Sequence, residues 1–142
     1  MPAPDTVAQF RKEQFRRDLL WVINSPRLLL DTPLTKLDEG QIDSDSLAKT
    51  IGEKPSHRVG YYFEALFLHW LTCIRRQELI AHRLQLQDAT GRTTGELDFL
   101  VRDDLGQLCH WETAVKFYLH FPNEHRSHHI CLLYTSPSPR DS

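Results

Sequence analysis

Acidic residues and one lysine in the second half of this chain could come together and do chemistry. Asp98 lies inside the apolar run Leu-Asp-Phe-Leu-Val, where a buried charge is costly unless it is paired. Glu112 and Lys116 occur in a later run, and their spacing puts both on one face if that run is an extended strand. Glu64 lies at the edge of an apolar helical stripe. These side chains are therefore the candidates for a site.

Carboxylates that share a half-buried site repel one another unless a cation neutralises them. Hard oxygen ligands of this kind suit Mg²⁺ or Mn²⁺. Such an ion polarises a phosphoryl oxygen and generates hydroxide from water, and a nearby ammonium can position that water or stabilise the developing charge. The residue types therefore indicate phosphodiester chemistry. The alternatives are structural: a solvent-facing aspartate, a solvated strand face, and a helix glutamate paired with Arg58 or His57.

The N-terminal part of the chain is predicted to be helical. Apolar residues close to helical spacing predict a helix over residues 6–24, namely Val7, Phe10, Phe15, Leu19 and Val22. The basic residues of this helix are interpreted as its solvated side, and Trp21, Trp70 and Trp111 as core. A loop is predicted over residues 30–42. Ser44 or Ser46 can cap a short helix, predicted to be peripheral, that ends near Gly52.

The residues that carry the candidate site are predicted to form a helix followed by a sheet. A broad apolar stripe predicts a central core helix from residue 56, made of Val59, Phe63, Leu66, Phe67, Trp70 and Ile74. Runs rich in strand formers predict strands over residues 79–86, 96–102 and 108–119. Their short links favour an antiparallel meander. The fold class is therefore α+β.

Length and composition limit the choice of protein class. The chain has 142 residues and a formal net charge of −2, which fits one globular domain and neither supports nor excludes a nucleic-acid partner. Neither a signal peptide nor a membrane-spanning run is recognisable, so a cytoplasmic protein without a membrane partner is expected. Three cysteines without C-x-x-C spacing indicate neither a disulfide framework nor a zinc knuckle.

The end of the chain differs in character from the rest. Residues 131–142 read CLLYTSPSPRDS, without strand or helix period, and the string resembles translated sequencing-adapter DNA. We therefore expect an N-terminal helical region over residues 1–55, a partial core over 56–120, and a disordered or artefactual tail over 121–142.

Four segments together resemble a known family. RRDLLWVINSPRLL, HRVGYYFEALFLHWL, TGELDFLV and HWETAVKFYL are similar to the bacterial domain of unknown function 1853, which is grouped with the PD-(D/E)XK nucleases. The resemblance covers most of residues 10–120. It implies a restriction-endonuclease-like core of helix, three antiparallel strands, helix and strand. It also implies that Asp98 and Glu112 are the metal ligands, Lys116 the catalytic lysine, and Glu64 the helix-borne acid.

The sequence departs from that pattern in two ways. Ala114 occupies the usual lysine position, and the shift to Lys116 lengthens the backbone separation from about 7 Å to about 13 Å. The final helix and strand are missing, so the chain is expected to be a truncated, inactive fragment with an exposed sheet edge. Two hypotheses follow: a Mg²⁺- or Mn²⁺-dependent nuclease-like protein, and a catalytically silent nucleic-acid-binding or scaffold domain. A purely structural α+β domain is a third.

Overall fold

The first helix packs against the rest of the molecule through its second half. The computed structural model describes residues 4–25, 36–52, 57–123 and 126–134, with side chains for 5–25, 36–52 and 57–116. Helix α1, Pro4–Asn24, confirms the predicted helix. Its buried face is made of Phe15, Leu19 and Ile23, which recur every four residues as one side of a helix does.

Two of the apolar residues whose spacing predicted α1 lie away from its buried face. Val7 is 40% exposed and Phe10 is 64% exposed. Trp21, 70% exposed, was wrongly assigned to the core. Because a helix turns by about 100° per residue, Phe10 and Trp21 lie on the same side of α1. Helix α1 therefore has an apolar side that faces solvent as well as one that faces the core.

Helix α2, Ser44–Ile51, forms where the sequence predicted a short helix, but its cap differs. The Asp43 side chain accepts hydrogen bonds from the backbone N–H groups of Asp45 at 3.0 Å and Ser46 at 3.1 Å. Asp43 therefore replaces Ser44 and Ser46 as the capping residue. Leu47 is fully buried, so the expectation that this helix is peripheral is wrong.

The predicted loop over residues 30–42 is only partly described. Residues 30–35 lie outside the described residues, and Glu39–Gln41 form a short 3₁₀ turn. Leu37 lies just before that turn. The Asn24 side chain donates to the Leu37 carbonyl and accepts from the Leu37 N–H, both at 2.8 Å. Leu37 is buried, so this double hydrogen bond fixes the segment against the end of α1.

The central helix is confirmed, with a wide last turn. Helix α3 spans Val59–His69 and continues as a π-helical turn over Trp70–Ile74. The Arg75 N–H donates to the Trp70 carbonyl at 2.8 Å, which is the i+5 bond of a π turn. Both Trp70 and Leu71 are buried.

The predicted antiparallel meander is present. Strands β1 (Glu78–Gln87), β2 (Thr93–Arg102) and β3 (Leu108–Trp111) form one sheet in the order β1-β2-β3. The two connecting turns share one design. Asp88 and Asp103 each accept hydrogen bonds from backbone N–H groups within their own turn. Gly91 and Gly106 then take positive φ values of 82° and 77°, which only glycine adopts at little cost.

The third strand is shorter than predicted. Strand β3 ends at Trp111, residues 112–116 have no regular structure, and Phe117–Asn123 form β4 in a second sheet. The single strand expected over residues 108–119 is therefore wrong. Strand β4 pairs with β5, Arg126–Tyr134. The disordered or artefactual tail expected over residues 121–142 stays a prediction, and residues 124–125 and 135–142 lie outside the described residues.

The core lies between the helices and one face of the β1-β2-β3 sheet. The Phe67 ring of α3 contacts three aromatic rings with centroid distances of 5.2 Å to Trp70, 5.5 Å to Phe99 and 5.7 Å to Trp111. Side chains alternate along a strand, so the residues of β2 next to Phe99 must point to the outer face. This alternation decides which candidate residues can meet.

A buried histidine makes the stability of the fold depend on pH. His69 is 1% exposed, its Nδ1 lies 3.1 Å from the Thr50 hydroxyl, and burial lowers the pKa of His69 below 6.5, opposed in part by the charge of Asp43. Below pH 6.5 the unfolded chain takes up the proton more readily, so this residue destabilises the fold as the pH falls. We expect a slope of up to about 1.4 kcal/mol per pH unit between pH 6.5 and the folded-state pKa.

Urea denaturation between pH 5 and 8 measures this slope. His69→Asn keeps a polar atom near Thr50 but cannot titrate, so it should flatten the pH dependence even if it lowers stability throughout. An unchanged slope in this variant would assign the effect to other histidines.

Candidate functional site

Glu64 lies on α3 and is held by an ion pair. Its side chain is 16% exposed, and Oε2 accepts from Arg83 Nε and Nη2, both at 2.7 Å. His82 Nε2 lies 3.6 Å from the same oxygen. The structural alternative for Glu64 named Arg58 or His57 as partners, whereas the observed partner is Arg83 on β1. This pair ties the central helix to the first strand.

An unusual backbone conformation brings both His82 and Arg83 to this carboxylate. Neighbouring side chains of a regular strand point to opposite faces, yet both of these contact Glu64. Arg83 has a φ of 54°, a left-handed conformation that costs an L-residue about 1–2 kcal/mol. The Arg83 guanidinium also lies over the Tyr61 ring, 3.9 Å from its centroid. The ion pair and this ring contact together offset the backbone cost.

Asp98 points to the other face of the sheet. Its neighbour Phe99 is fully buried against α3, so alternation places the Asp98 carboxylate on the outer face. Oδ2 accepts hydrogen bonds from the Thr113 N–H at 2.8 Å and the Thr113 hydroxyl at 3.1 Å. Asp98 therefore binds the chain at the point where β3 has ended.

Glu112 comes directly after β3 and shares the outer face with Asp98. The register pairs Phe99 with Trp111, so Glu112 follows at the position next to Asp98. Its Oε1 lies 2.5 Å from His110 Nε2, and its side chain is 56% exposed. The approach of Glu112 to Asp98 stays a prediction, because the register of β2 and β3 ends at the pair of Phe99 and Trp111.

Lys116 and Ala114 lie in the irregular segment of residues 112–116, and both are exposed. The expectation that Glu112, Ala114 and Lys116 share one strand face is wrong because β3 stops at Trp111. The reach of Lys116 toward Asp98 therefore cannot be derived from strand spacing.

The sheet separates Glu64 from two of the other candidate residues. Glu64 lies on the helix side with Arg83, and Asp98 and Glu112 are placed on the outer side. Among the described side chains, no group of three His, Cys, Asp or Glu residues is arranged to bind a metal ion. Asp98 Oδ2 already accepts two hydrogen bonds from Thr113, so Oδ1 is the Asp98 oxygen that could bind a cation. Metal ligation by Asp98 and Glu112 stays a prediction.

Sequence reasoning did not find the residues that hold these acids in place. Arg83 was missed because a left-handed residue inside a strand reverses the expected direction of its side chain. His82 was missed because its role depends on the register that sets it opposite Phe99. Its ring stacks on the Phe99 ring, with 4.7 Å between the centroids. A histidine opposite a core phenylalanine would have indicated this position. Thr113 was missed because its role depends on where β3 ends.

Two basic residues of α1 are paired with acids from other parts of the chain. Lys12 Nζ lies 2.6 Å from Asp45 Oδ1, and Arg16 Nη2 lies 2.6 Å from Glu39 Oε2. These exposed pairs contribute little to stability, about 0–1 kcal/mol each. They do offset the positive charge of this helix face, which agrees with its interpretation as a solvated side.

Comparison with known proteins identifies a family. Among the described helices, none combines the length and the apolar content that crossing a membrane requires. Neither the curated proteins nor the solved structures give a significant match. A family model described as "Domain of unknown function (DUF1853)" matches residues 17–142. Because the match covers most of the chain, this protein belongs to the DUF1853 family.

Proposed function

We propose that this chain is a catalytically silent nucleic-acid-binding or scaffold domain with a restriction-endonuclease-like core. The order of its elements supports the fold part of the proposal: α3 is followed by three antiparallel strands, with Asp98 on the second of them. The resemblance to the PD-(D/E)XK nucleases supplies nucleic acid as the partner class. The family description itself names no activity.

The separation of Glu64 from Asp98 is the observation that supports a domain without catalytic activity. Glu64 is bound by Arg83 on the helix side of the sheet, while Asp98 binds Thr113 on the outer side. A guanidinium that neutralises Glu64 removes the need for a metal ion there. Asp98 likewise has a structural task, because it accepts the N–H of the residue that leaves the sheet. Each acid is thus accounted for without catalysis.

A second candidate is a Mg²⁺- or Mn²⁺-dependent nuclease-like protein. One observation favours it: Asp98 and Glu112 are the residues next to the last pair of β2 and β3, Phe99 with Trp111. In this candidate Asp98 and Glu112 are the metal ligands, and Glu64 and Lys116 are the remaining catalytic residues. The positions observed for Glu64 and Lys116 do not support those roles.

Metal dependence separates the two candidates. We expect a fluorescent DNA duplex and a single-stranded RNA to remain intact with the protein and Mg²⁺ or Mn²⁺, and at least one to bind equally well in EDTA. Asp98→Asn should change that affinity by no more than about twofold, because in this proposal Asp98 binds Thr113 and does not hold a metal ion. Anisotropy measures binding, and gel electrophoresis measures cleavage.

A matched variant controls for loss of charge. Asp104→Asn changes an exposed aspartate in the turn between β2 and β3, and circular dichroism verifies that each variant folds. Cleavage that requires metal, is lost in Asp98→Asn and persists in Asp104→Asn would establish the nuclease candidate instead. Failure to bind either nucleic acid would contradict nucleic-acid recognition and leave only the scaffold role.

A further inference from the structure

Two arginines lie against one exposed tyrosine ring at the start of α3. Tyr61 is 41% exposed. The guanidinium carbon of Arg83 lies 3.9 Å from the centroid of its ring, and that of Arg58 lies 5.6 Å from the same centroid. Arg58 comes directly before α3 and Arg83 lies within β1, so the fold brings the two together. Like charges repel at such short range, and a bound anion would relieve this repulsion.

The Arg83 guanidinium is held in place by an acid and can still donate to a ligand. Glu64, 16% exposed, accepts from its Nε and Nη2, whereas the Arg83 side chain is 36% exposed. Among the described residues, no acceptor is bound to Nη1 of Arg83. A guanidinium has five N–H groups in a fixed plane, and its parallel pairs match the oxygens of a phosphate group. Glu64 therefore orients Arg83 without using all of its donors.

The backbone of Arg83 is strained in a way that serves this contact. Its φ of 54° departs from the strand conformation, in which Arg83 would point away from the face that holds His82. Left-handed residues other than glycine persist where the surrounding structure fixes them, and they cluster at ligand clamps and active sites. The strained backbone is what places Arg83 at the Tyr61 ring.

The start of α3 adds to the positive potential beside this ring. Helix α3 begins at Val59, and its first turn carries no acidic residue. The first turn of a helix has a partial positive charge from its backbone N–H groups, and this charge favours anions. Both the helix start and the two guanidinium groups therefore attract negative charge to the surface around Tyr61.

We propose that Arg58 and Arg83, held at the Tyr61 ring, bind the phosphate groups of a nucleic-acid backbone. This site rests on the nucleic-acid binding proposed above and gives it a location on the helix side of the sheet, away from Asp98. Guanidinium groups contact phosphates of any sequence, so the site positions the nucleic acid without selecting its bases.

Arg58→Gln in the full chain tests the site, because Arg58 is exposed and its loss leaves the pair of Glu64 and Arg83 in place. With a fluorescent single-stranded RNA and a fluorescent DNA duplex as probes, we expect the affinity to fall about five- to tenfold. The slope of log affinity against log salt concentration should become shallower by about 0.7 for the RNA and about 0.9 for the duplex, as loss of one phosphate contact predicts. Fluorescence anisotropy at several salt concentrations measures both quantities.

Two control variants separate this contact from a general effect of charge. Arg58→Lys keeps the positive charge, so it should keep the salt slope of the wild-type chain. Arg75→Gln removes another arginine that lies over an aromatic ring, 5.2 Å from the centroid of Trp70, beyond the other end of α3. It should leave affinity and slope unchanged. Circular dichroism verifies that each variant folds.

The outcomes distinguish this site from the proposed function. If the wild-type chain binds a probe and Arg58→Gln retains its affinity and salt slope, the site is wrong and the proposed function stands. An equal loss in Arg75→Gln would also overturn the site. If the wild-type chain binds neither probe, the site and nucleic-acid recognition fail together. Displacement of the RNA by inorganic phosphate at constant ionic strength would make free phosphate the ligand and overturn the assignment to nucleic acid.

Discussion

Replacing Phe99 with alanine is expected to lower the free energy of unfolding by about 3–5 kcal/mol. Phe99 is fully buried on the face of β2 that meets α3. Its ring centroid lies 5.5 Å from that of Phe67 and 4.7 Å from that of His82. Removing the ring leaves a cavity between helix and sheet that the surrounding aromatic side chains cannot fill without moving. Urea denaturation followed by circular dichroism measures the loss.

Two control variants show whether this loss comes from packing. Phe99→Leu keeps most of the volume and should cost less than the alanine variant. Leu108→Ala, at a 59% exposed position of the same sheet, should change stability by no more than about 0.5 kcal/mol. A loss below about 1 kcal/mol in Phe99→Ala would mean that β2 does not pack on α3 as described.

Arg83→Ala is expected to cost about 1–3 kcal/mol, because it leaves the Glu64 carboxylate without its charged donor. Glu64 is 16% exposed, so water replaces the guanidinium only in part. The contact between the guanidinium and the Tyr61 ring is lost as well. A double-mutant cycle with Glu64→Gln isolates the pair from other effects of the substitutions.

Arg83→Gly provides a matched comparison at the same position. It removes the same side-chain contacts, but glycine adopts the φ of 54° found here without the penalty that alanine pays. We expect the glycine variant to be more stable than the alanine variant by about 1 kcal/mol. Equal stability, or a less stable glycine variant, would show that the left-handed backbone at this position contributes no strain.

Much of the fold follows from local patterns that the sequence displays directly. Residues 97–101 are rich in strand formers and predict a strand, and the structure buries Phe99 and Val101 on one face of it. The two Asp-to-Gly turns report an antiparallel meander, because aspartate binds its own backbone and glycine supplies the positive φ. These signals lie within a few residues of the structure that they predict, and the structure confirms them.

The candidate site was less predictable because it depends on contacts between distant elements. Placing Glu64 beside Asp98 required knowing which face of β2 meets α3, and that face is fixed by Phe99. The sequence offered a strand through residues 112–116, but it gave no sign that Asp98 would bind Thr113 instead. The exposed Phe10 shows the same limit: an apolar residue at helical spacing indicates a face of the helix but not what covers it.

The π turn over Trp70–Ile74 has a consequence for aligning this chain with relatives. An α helix turns by about 100° per residue. The wide π turn contains one extra residue, so it acts as a one-residue insertion. Beyond Trp70, α-helical spacing therefore no longer predicts which residues face the core. The helical spacing of the sequence placed Trp70 and Ile74 on the apolar stripe of the central helix. It left out Leu71, which is fully buried. A relative with one residue fewer here would present β1 to the helix in a different rotation. An alignment that ignored the offset would assign the wrong partner to Glu64.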